Sequence, residues 1–372
     1  MIYIHVPFCR SFCTYCDFYS EIVGKTAGCV ALGPGKTAGC AAGCAAGLSD
    51  EVFERYTDDL SAEIQARREE IVAAAGVRTL YIGGGTPSVL PLECLRRIVE
   101  KLREVEATAL AGGASAGDWE EFTIEVNPED IVERGPEYVR GLLELGVDRI
   151  SMGVQSLDDG TLRWMNRRHS ADGAREAWRI LSSVRANLQK ELSLSIDLIS
   201  GVPGMDCAML GRTLNEVLKW RPEHISAYQL SVEEGSALAR MIADGRVAEL
   251  PDEECRAQYE LVCQKLGAAG YHHYEISNWA LPRHEAVHNS AYWTRQPYVG
   301  LGPGAHSLEI TPTRQIRKWN SKRPTGWAEE GREELSPEEI REETVMLLAR
   351  TDRGPIPEHD WFVADDLIAD LL

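Results

Sequence analysis

The sequence predicts an α/β protein in which residues 1–230 form an incomplete (β/α)6 barrel and residues 231–372 a smaller C-terminal domain of α+β or helical character. Up to about residue 230, short β-rich runs alternate with helix-length amphipathic segments, the pattern of βαβ units on a parallel sheet. Beyond that point the rhythm breaks. The motifs that carry chemistry also fall repeatedly just after the strand runs, where barrels of this kind hold their sites.

Six strands are expected over residues 2–6, 77–82, 121–126, 149–153, 192–199 and 224–230, with helices near 52–75, 92–106, 136–145, 171–186 and 210–219. In the first strand Tyr3 and His5 alternate with Ile4 and Val6, so the two polar rings share the luminal face. Past residue 230 follow a helix near 252–269, a Tyr/His-rich strand at 271–276, the Gly-rich run YVGLGPGAHS at 298–307, and a helix over 337–348 with Pro355 and Pro357 beyond it.

Residues 24–48 read as a low-complexity insertion of Gly, Ala, Cys, Lys and Thr in which GKTAGC occurs twice, at 24–29 and 35–40. The Gly35-Lys36-Thr37 triplet invites a phosphate-loop reading, but that pattern needs Gly at position 30, which is Val30. Cys29, Cys40 and Cys44 offer ligands for an auxiliary cluster, yet a Gly/Ala stretch with no strand to position it favours a loop. Residues 109–117 read as a lengthened helix-to-strand connection.

A chain of 372 residues with 44% hydrophobic content buries one large core or two ordinary ones. Lys and Arg number 39 against 58 Asp and Glu, and the net charge of −19 repels phosphate backbones and anionic lipid. That argues against nucleic acid as a partner. No run approaches the roughly 20 apolar residues of a membrane span, and no basic region precedes an apolar one at the N-terminus, so a cytoplasmic protein is expected. The ten cysteines are not spaced like a disulfide framework. Three cluster at the start, where a reducing compartment makes metal ligation the better reading.

The opening IYIHVPFCRSFCTYCDFYS gives C-x3-C-x2-C at Cys9, Cys13 and Cys16, with Tyr15 just before the last sulfur. Three thiolates are one fewer than a closed [4Fe-4S] cubane takes, so one iron keeps an exchangeable position. S-adenosylmethionine (SAM) can chelate such an iron through its amino nitrogen and carboxylate. An electron from the cluster then cleaves the sulfonium to a 5′-deoxyadenosyl radical, which the protein must position and shield. The competing reading is a zinc knuckle or buried thiols. Zinc normally requires a fourth Cys or His at short range, and Cys29 lies in the insertion.

The opening together with GGGTPS at 83–88, EVNP at 125–128, SMGVQS at 151–156, NRRH at 166–169, DLISGVPG at 197–204 and HNSAYW at 288–293 resembles the coproporphyrinogen-oxidase-like branch of radical SAM proteins, specifically the HemW-type haem chaperones. The resemblance runs from residue 1 to about 350. It implies a SAM cradle: Gly84, Gly85 and Thr86 at the amino group, Glu125, Gln155 and Asp197 around the ribose and its neighbours, and Arg167 on the carboxylate. Tyr3 and Tyr15 join the cofactor-binding set on the same ground. Taken singly, Glu125, Gln155, Arg167 and Asp197 read equally well as ordinary ion-pair or core polar residues. Their joint placement at successive strand ends is what favours a site.

The resemblance further implies a haem site at His288, Asn289, Tyr292 and Trp293, with imidazole as axial ligand and the aromatics on the porphyrin plane. His306 is a weaker second candidate. The family's coproporphyrinogen dehydrogenases carry a further Cys two residues after the last ligand and an N-terminal extension. This chain has Phe18 there and begins eight residues before Cys9, which points away from oxidative decarboxylation. The family continues into a small helical domain, so the end at Leu372 reads as shortened. The expected function is a haem chaperone that delivers haem to acceptor haemoproteins, with an electron donor such as flavodoxin or ferredoxin. An oxygen-independent coproporphyrinogen III dehydrogenase and a radical SAM enzyme on an unrelated substrate are the alternatives.

Overall fold

The computed structural model describes residues 1–23, 48–74, 76–109, 118–188 and 191–372; the insertion with Cys29, Cys40, Cys44 and the Gly35-Lys36-Thr37 triplet, and most of the 109–117 connection, lie outside them. The first half runs β1 (Ile2–Val6), β2 (Phe8–Cys9), β3 (Glu21–Ile22), α1 (Leu48–Ala66), α2 (Arg68–Ala73), β4 (Thr79–Gly84), α3 (Leu92–Ala109), β5 (Glu121–Val126), α4 (Pro128–Glu144), β6 (Arg149–Gln155), α5 (Asp159–Trp164), α6 (Ala171–Arg185), β7 (Ser193–Ser200), α7 (Cys207–Trp220) and β8 (His224–Gln229). It continues with α8 (Ala237–Ala243), α9 (Asp252–Ala268), β9 (His272–Glu275), β10 (Asn278–Ala280), α10 (Val287–Trp293), β11 (Val299–Leu301), β12 (His306–Ile310), β13 (Gln315–Asn320), β14 (Glu329–Glu334), α11 (Pro337–Leu348) and α12 (Ala364–Leu371).

The main sheet has nine strands in the order β11-β1-β4-β5-β6-β7-β8-β10-β9. Its seven strands from β11 to β8 are parallel, and β10 and β9 add antiparallel at the far edge. The two outer strands do not pair, so the barrel is open, as the α/β reading predicts. Six strands were expected; β11 makes a seventh parallel one, with Ile2 opposite Val299. Three residues are too few to leave a periodic signal, and the sequence showed this segment only as part of a Gly-rich run. Among the described residues, no helix is long and apolar enough to cross a membrane.

Alternation along the strands separates two environments. Ile4, Ile82, Ile124, Ile150, Ile196 and Ile225 are fully buried on the face that meets the helices. Tyr81, Thr123, Glu125, Ser151, Ser195, Asp197 and Ser226 point to the other face and line a lumen. A parallel barrel normally fills that interior with branched apolar side chains. Polar residues here leave room for a ligand.

Several helices differ from expectation for local reasons. The helix expected over 52–75 breaks at Arg67, whose φ of −101° and ψ of 18° separate α1 from α2. The one expected at 136–145 begins instead at Pro128, because Gly135 at φ 70° joins two helical pieces ahead of Pro136. Asp158, Ser170, Asp206, Ser236 and Ser336 cap their helices through the side-chain oxygen. The second sheet, β12-β13-β14, went unread because β14 (EEGREE) has no apolar alternation at all.

Candidate metal centre and ligand cavity

Cys9, Cys13 and Cys16 lie on a loop held at several points above the sheet. The short strands β2 and β3 pair in parallel, with Cys9 opposite Ile22, and fix its two ends. Its middle is tied to the segment after α5: Thr14 donates its amide to the Met165 carbonyl at 3.1 Å and its hydroxyl to the Trp164 carbonyl at 2.8 Å. Asn166 donates to the Phe12 carbonyl at 2.7 Å. Such anchoring lets three sulfurs keep fixed spacing without a metal. Burial pushes the Cys9 thiol up and the Cys16 thiol up to about 12, the expected cost of burying sulfur charge without a cation. A bound metal reverses that balance and deprotonates a coordinating thiol.

Below the sulfurs opens a cavity of about 540 Å³ that runs down the lumen. Cys9, Cys13, Cys16, Tyr15, Gly84, Gly85, Thr86, Glu125, Gln155, Arg167, Asp197 and Asn289 all line it. Tyr3, His288, Tyr292 and Trp293 do not. The glycines are required by close approach: at Gly84, with φ +107°, a Cβ would meet the His5 ring at 2.6 Å, and at Gly85 it would meet the Phe8 carbonyl at 2.8 Å. Gly84 uses its freed amide to donate to Glu125 at 3.1 Å.

Glu125 and Asp197 are the carboxyls that the strands themselves turn into this space. Glu125 accepts from the Tyr81 hydroxyl at 2.7 Å, and burial raises its pKa to about 7 despite that bond and the one from Gly84. Asp197 accepts from the Ser151 hydroxyl at 3.0 Å, and burial raises it to about 6. The Asp197 charge raises Glu125 further, whereas Ser226, Ser151, Arg149 and Arg167 hold the rise of Asp197 in check. Near neutral pH the pair therefore shares the lumen as partly protonated donors and acceptors.

Gln155 sits at a bulge at the end of β6 with φ 62°, an uncommon conformation for a residue with a side chain, and its buried Oε1 has no partner among the described residues. Arg167 donates to Cys13 Sγ at 3.3 Å, Asn127 Oδ1 at 2.6 Å and the Gly153 carbonyl at 2.9 Å, while its Nε remains unpartnered. Cys13, Tyr15 and Glu129 hold its charge in place against burial. At the cavity wall these two atoms are free to pair with a polar ligand.

The expected haem residues lie elsewhere. Helix α10 plugs the opposite end of the barrel, where the Val287 and His288 amides donate to Glu121 at the start of β5. His288 is only 1% exposed; its Nδ1 pairs with the Thr79 hydroxyl at 2.8 Å and its Nε2 with the Tyr292 hydroxyl at 3.2 Å. Burial lowers its pKa to about 3, so the ring is neutral. Both ring nitrogens are occupied by hydroxyls, so neither is open to an iron in this arrangement. Of that motif only Asn289 reaches the lumen, from below. His306, at the start of β12, is exposed and stacks on Trp319. Tyr3 spends its hydroxyl on His5 Nδ1 at 3.0 Å, one layer behind the cavity wall.

Among the described residues no three His, Cys, Asp or Glu side chains converge on one ion. A cubane asks for no such convergence, because each iron takes its own thiolate. The radical SAM superfamily model matches residues 3–217. The haem chaperone HemW of Mycobacterium tuberculosis is 32% identical over 363 residues, covering 95% of this chain and 82% of the relative. The chain belongs to the HemW family of radical SAM proteins.

Other members of the HemW family agree: the haem chaperone HemW of Bacillus subtilis is 30% identical over 361 residues, with 95% and 83% of the two chains covered. Among solved structures, the radical SAM enzyme coproporphyrinogen III oxidase (HemN) from Escherichia coli superposes with a TM-score of 0.69 at 19% identity, over 94% of this chain and 75% of that one. At that identity the likeness speaks for fold alone. Membership of the radical SAM superfamily implies a [4Fe-4S] cluster and SAM, and the three fixed sulfurs with orphaned polar atoms beside them fit both groups. When bound, that pair supplies one-electron cleavage of a sulfonium. The chain's own residues hold the three cysteines on one anchored loop and turn polar groups toward the lumen.

Asn127, Tyr81, Ser151 and Arg149 also line the cavity and were given no role by sequence reading. Asn127 had a usable signal. It directly follows β5, the same strand-end position that singled out Glu125 and Gln155.

Proposed function

We propose that this HemW-family chain is a haem chaperone: Cys9, Cys13 and Cys16 hold a [4Fe-4S] cluster, SAM lies on it against Gln155, Arg167, Glu125 and Asp197, and haem is taken up and passed to acceptor haemoproteins. The observation that carries the reading is similarity over 95% of this chain to relatives named haem chaperone HemW. The cavity supports its cofactor half, since the orphaned atoms of Gln155 and Arg167 stand beside the sulfurs. Haem is carried at HNSAYW, and because both nitrogens of His288 are engaged, α10 must leave the barrel floor to present them. A small reductant such as flavodoxin or ferredoxin supplies electrons, and the site of action is the cytoplasm.

Coproporphyrinogen oxidation is the second reading, favoured by the fold shared with HemN. Phe18 speaks against it. It stands where the family's dehydrogenases carry a further Cys, and its ring is 66% exposed at the rim of the sulfur loop. Anaerobic reconstitution, iron and sulfide analysis, haem titration and incubation with coproporphyrinogen test both readings. Stoichiometric haem uptake without protoporphyrinogen is the expected result. Protoporphyrinogen formation without haem retention overturns the chaperone reading in favour of the enzyme.

A further inference from the structure

Arg167 fixes the direction of each proton in a short relay that ends on a sulfur. A guanidinium can only donate. One Nη donates to Cys13 Sγ at 3.3 Å and the other to Asn127 Oδ1 at 2.6 Å. Asn127 therefore turns its amide oxygen toward Arg167 and must donate through Nδ2, which meets Thr86 Oγ1 at 3.2 Å. The Thr86 hydroxyl, accepting there, has one proton left to give. Its remaining contact is Cys9 Sγ at 3.4 Å.

Two further observations show that this arrangement is not incidental. Asn127 occupies the N-cap of α4, and Thr86 the corresponding position of the 3-10 turn Pro87–Val89. Both are preferred capping residues, whose side chains ordinarily accept from the first helical amides. Neither makes a capping bond. Each gives up local stabilisation; Thr86 turns its side chain to Cys9, and Asn127 turns its own between Arg167 and Thr86.

We propose that Arg167, Asn127 and Thr86 form a relay that sets the reduction potential of the cluster, donating to two of its three ligand sulfurs, Cys13 directly and Cys9 through Thr86. Asn127 is the positioning residue that couples them. The inference rests on the reading of the three cysteines as cluster ligands. A sulfur that accepts here as a thiol accepts more strongly as an iron-bound thiolate, and reduction adds further negative charge to it. Donors to cluster sulfurs therefore favour the reduced form and raise the potential.

The test is a dye-mediated dithionite titration, followed by electron paramagnetic resonance, of the full chain reconstituted anaerobically without SAM. Thr86→Val removes the donor at nearly constant shape, and the reduced-to-oxidised ratio at a given applied potential should fall about tenfold, about 59 mV for one electron. Thr86→Ser keeps the hydroxyl and should restore the wild-type value. Asn127→Asp should shift the potential in the same direction as Thr86→Val, because a carboxylate accepts from Arg167 and Thr86 alike and turns the hydroxyl away from Cys9. Thr86→Val with full iron and sulfide and an unmoved potential overturns the relay alone. Should that variant fail to load, a loaded Asn127→Asp with the wild-type potential overturns it instead. Wild-type protein without iron or sulfide overturns the cluster reading and the relay together.

Discussion

Glu125 shows how much a single buried group in the lumen governs. Its pKa of about 7 in the fold exceeds the roughly 4.3 of an unstructured glutamate, so the native state holds a proton that the unfolded chain has released over that interval. Stability from this group is full below pH about 4.3 and is lost as pH rises through about 7. Asp197, at about 6, acts in the same sense over a narrower window. The ligand-free protein should therefore lose on the order of 3 kcal/mol from Glu125 across this range. Glu125→Gln, which keeps an acceptor for Tyr81, should flatten the dependence. Thermal melts of both proteins from pH 5 to 8 check this, and parallel curves would refute it.

At the scale of elements, α10 is the segment whose role depends most on where it packs. Its seven residues close the barrel floor through His288, which joins Thr79 of β4 to Tyr292 on its own helix. Replacing that ring by Ala leaves a cavity and two hydroxyls without partners, a loss of roughly 2–4 kcal/mol measurable by urea unfolding. If HNSAYW carries haem, the helix must lift away. Hydrogen exchange of the α10 amides should then speed up when haem is added, and protection unchanged in the haem-loaded protein would move the haem seat elsewhere.

For the molecule as a whole, one sheet joins the two ends of the sequence. Strand β11 pairs with β1 at one edge, and β10 and β9 extend the other, so segments beyond residue 230 complete what the first 230 residues begin. Where β11 turns into β12 the chain folds so tightly that a Cβ on Gly300 would meet the His306 carbonyl at 1.9 Å. Arg67 locks the same turn by donating to the Gly300 carbonyl at 2.7 Å. Urea unfolding followed by far-UV circular dichroism and by tryptophan fluorescence should therefore give coincident transitions. Gly300→Ala should shift both together to lower urea, and separated midpoints would mean that the C-terminal segments unfold independently.

The sequence by itself determined the strands β1, β4, β5, β6, β7 and β8, because each carries an apolar alternation long enough to read, and it determined which residues stand at their ends. Glu125 and Gln155, near the ends of β5 and β6, line one cavity with Cys9, Cys13, Cys16, Arg167 and Asp197. Only the tertiary structure decided what the short pieces do. β2, β3 and β11 are two or three residues long, and what makes them strands is a partner distant in sequence. The same holds for side chains whose meaning depends on orientation. Arg167 fixes which way the Asn127 amide turns, and Thr79 and Tyr292 engage both nitrogens of His288. Periodicity is a local property that the sequence carries, whereas the choice of hydrogen-bond partner belongs to groups brought together across the whole chain.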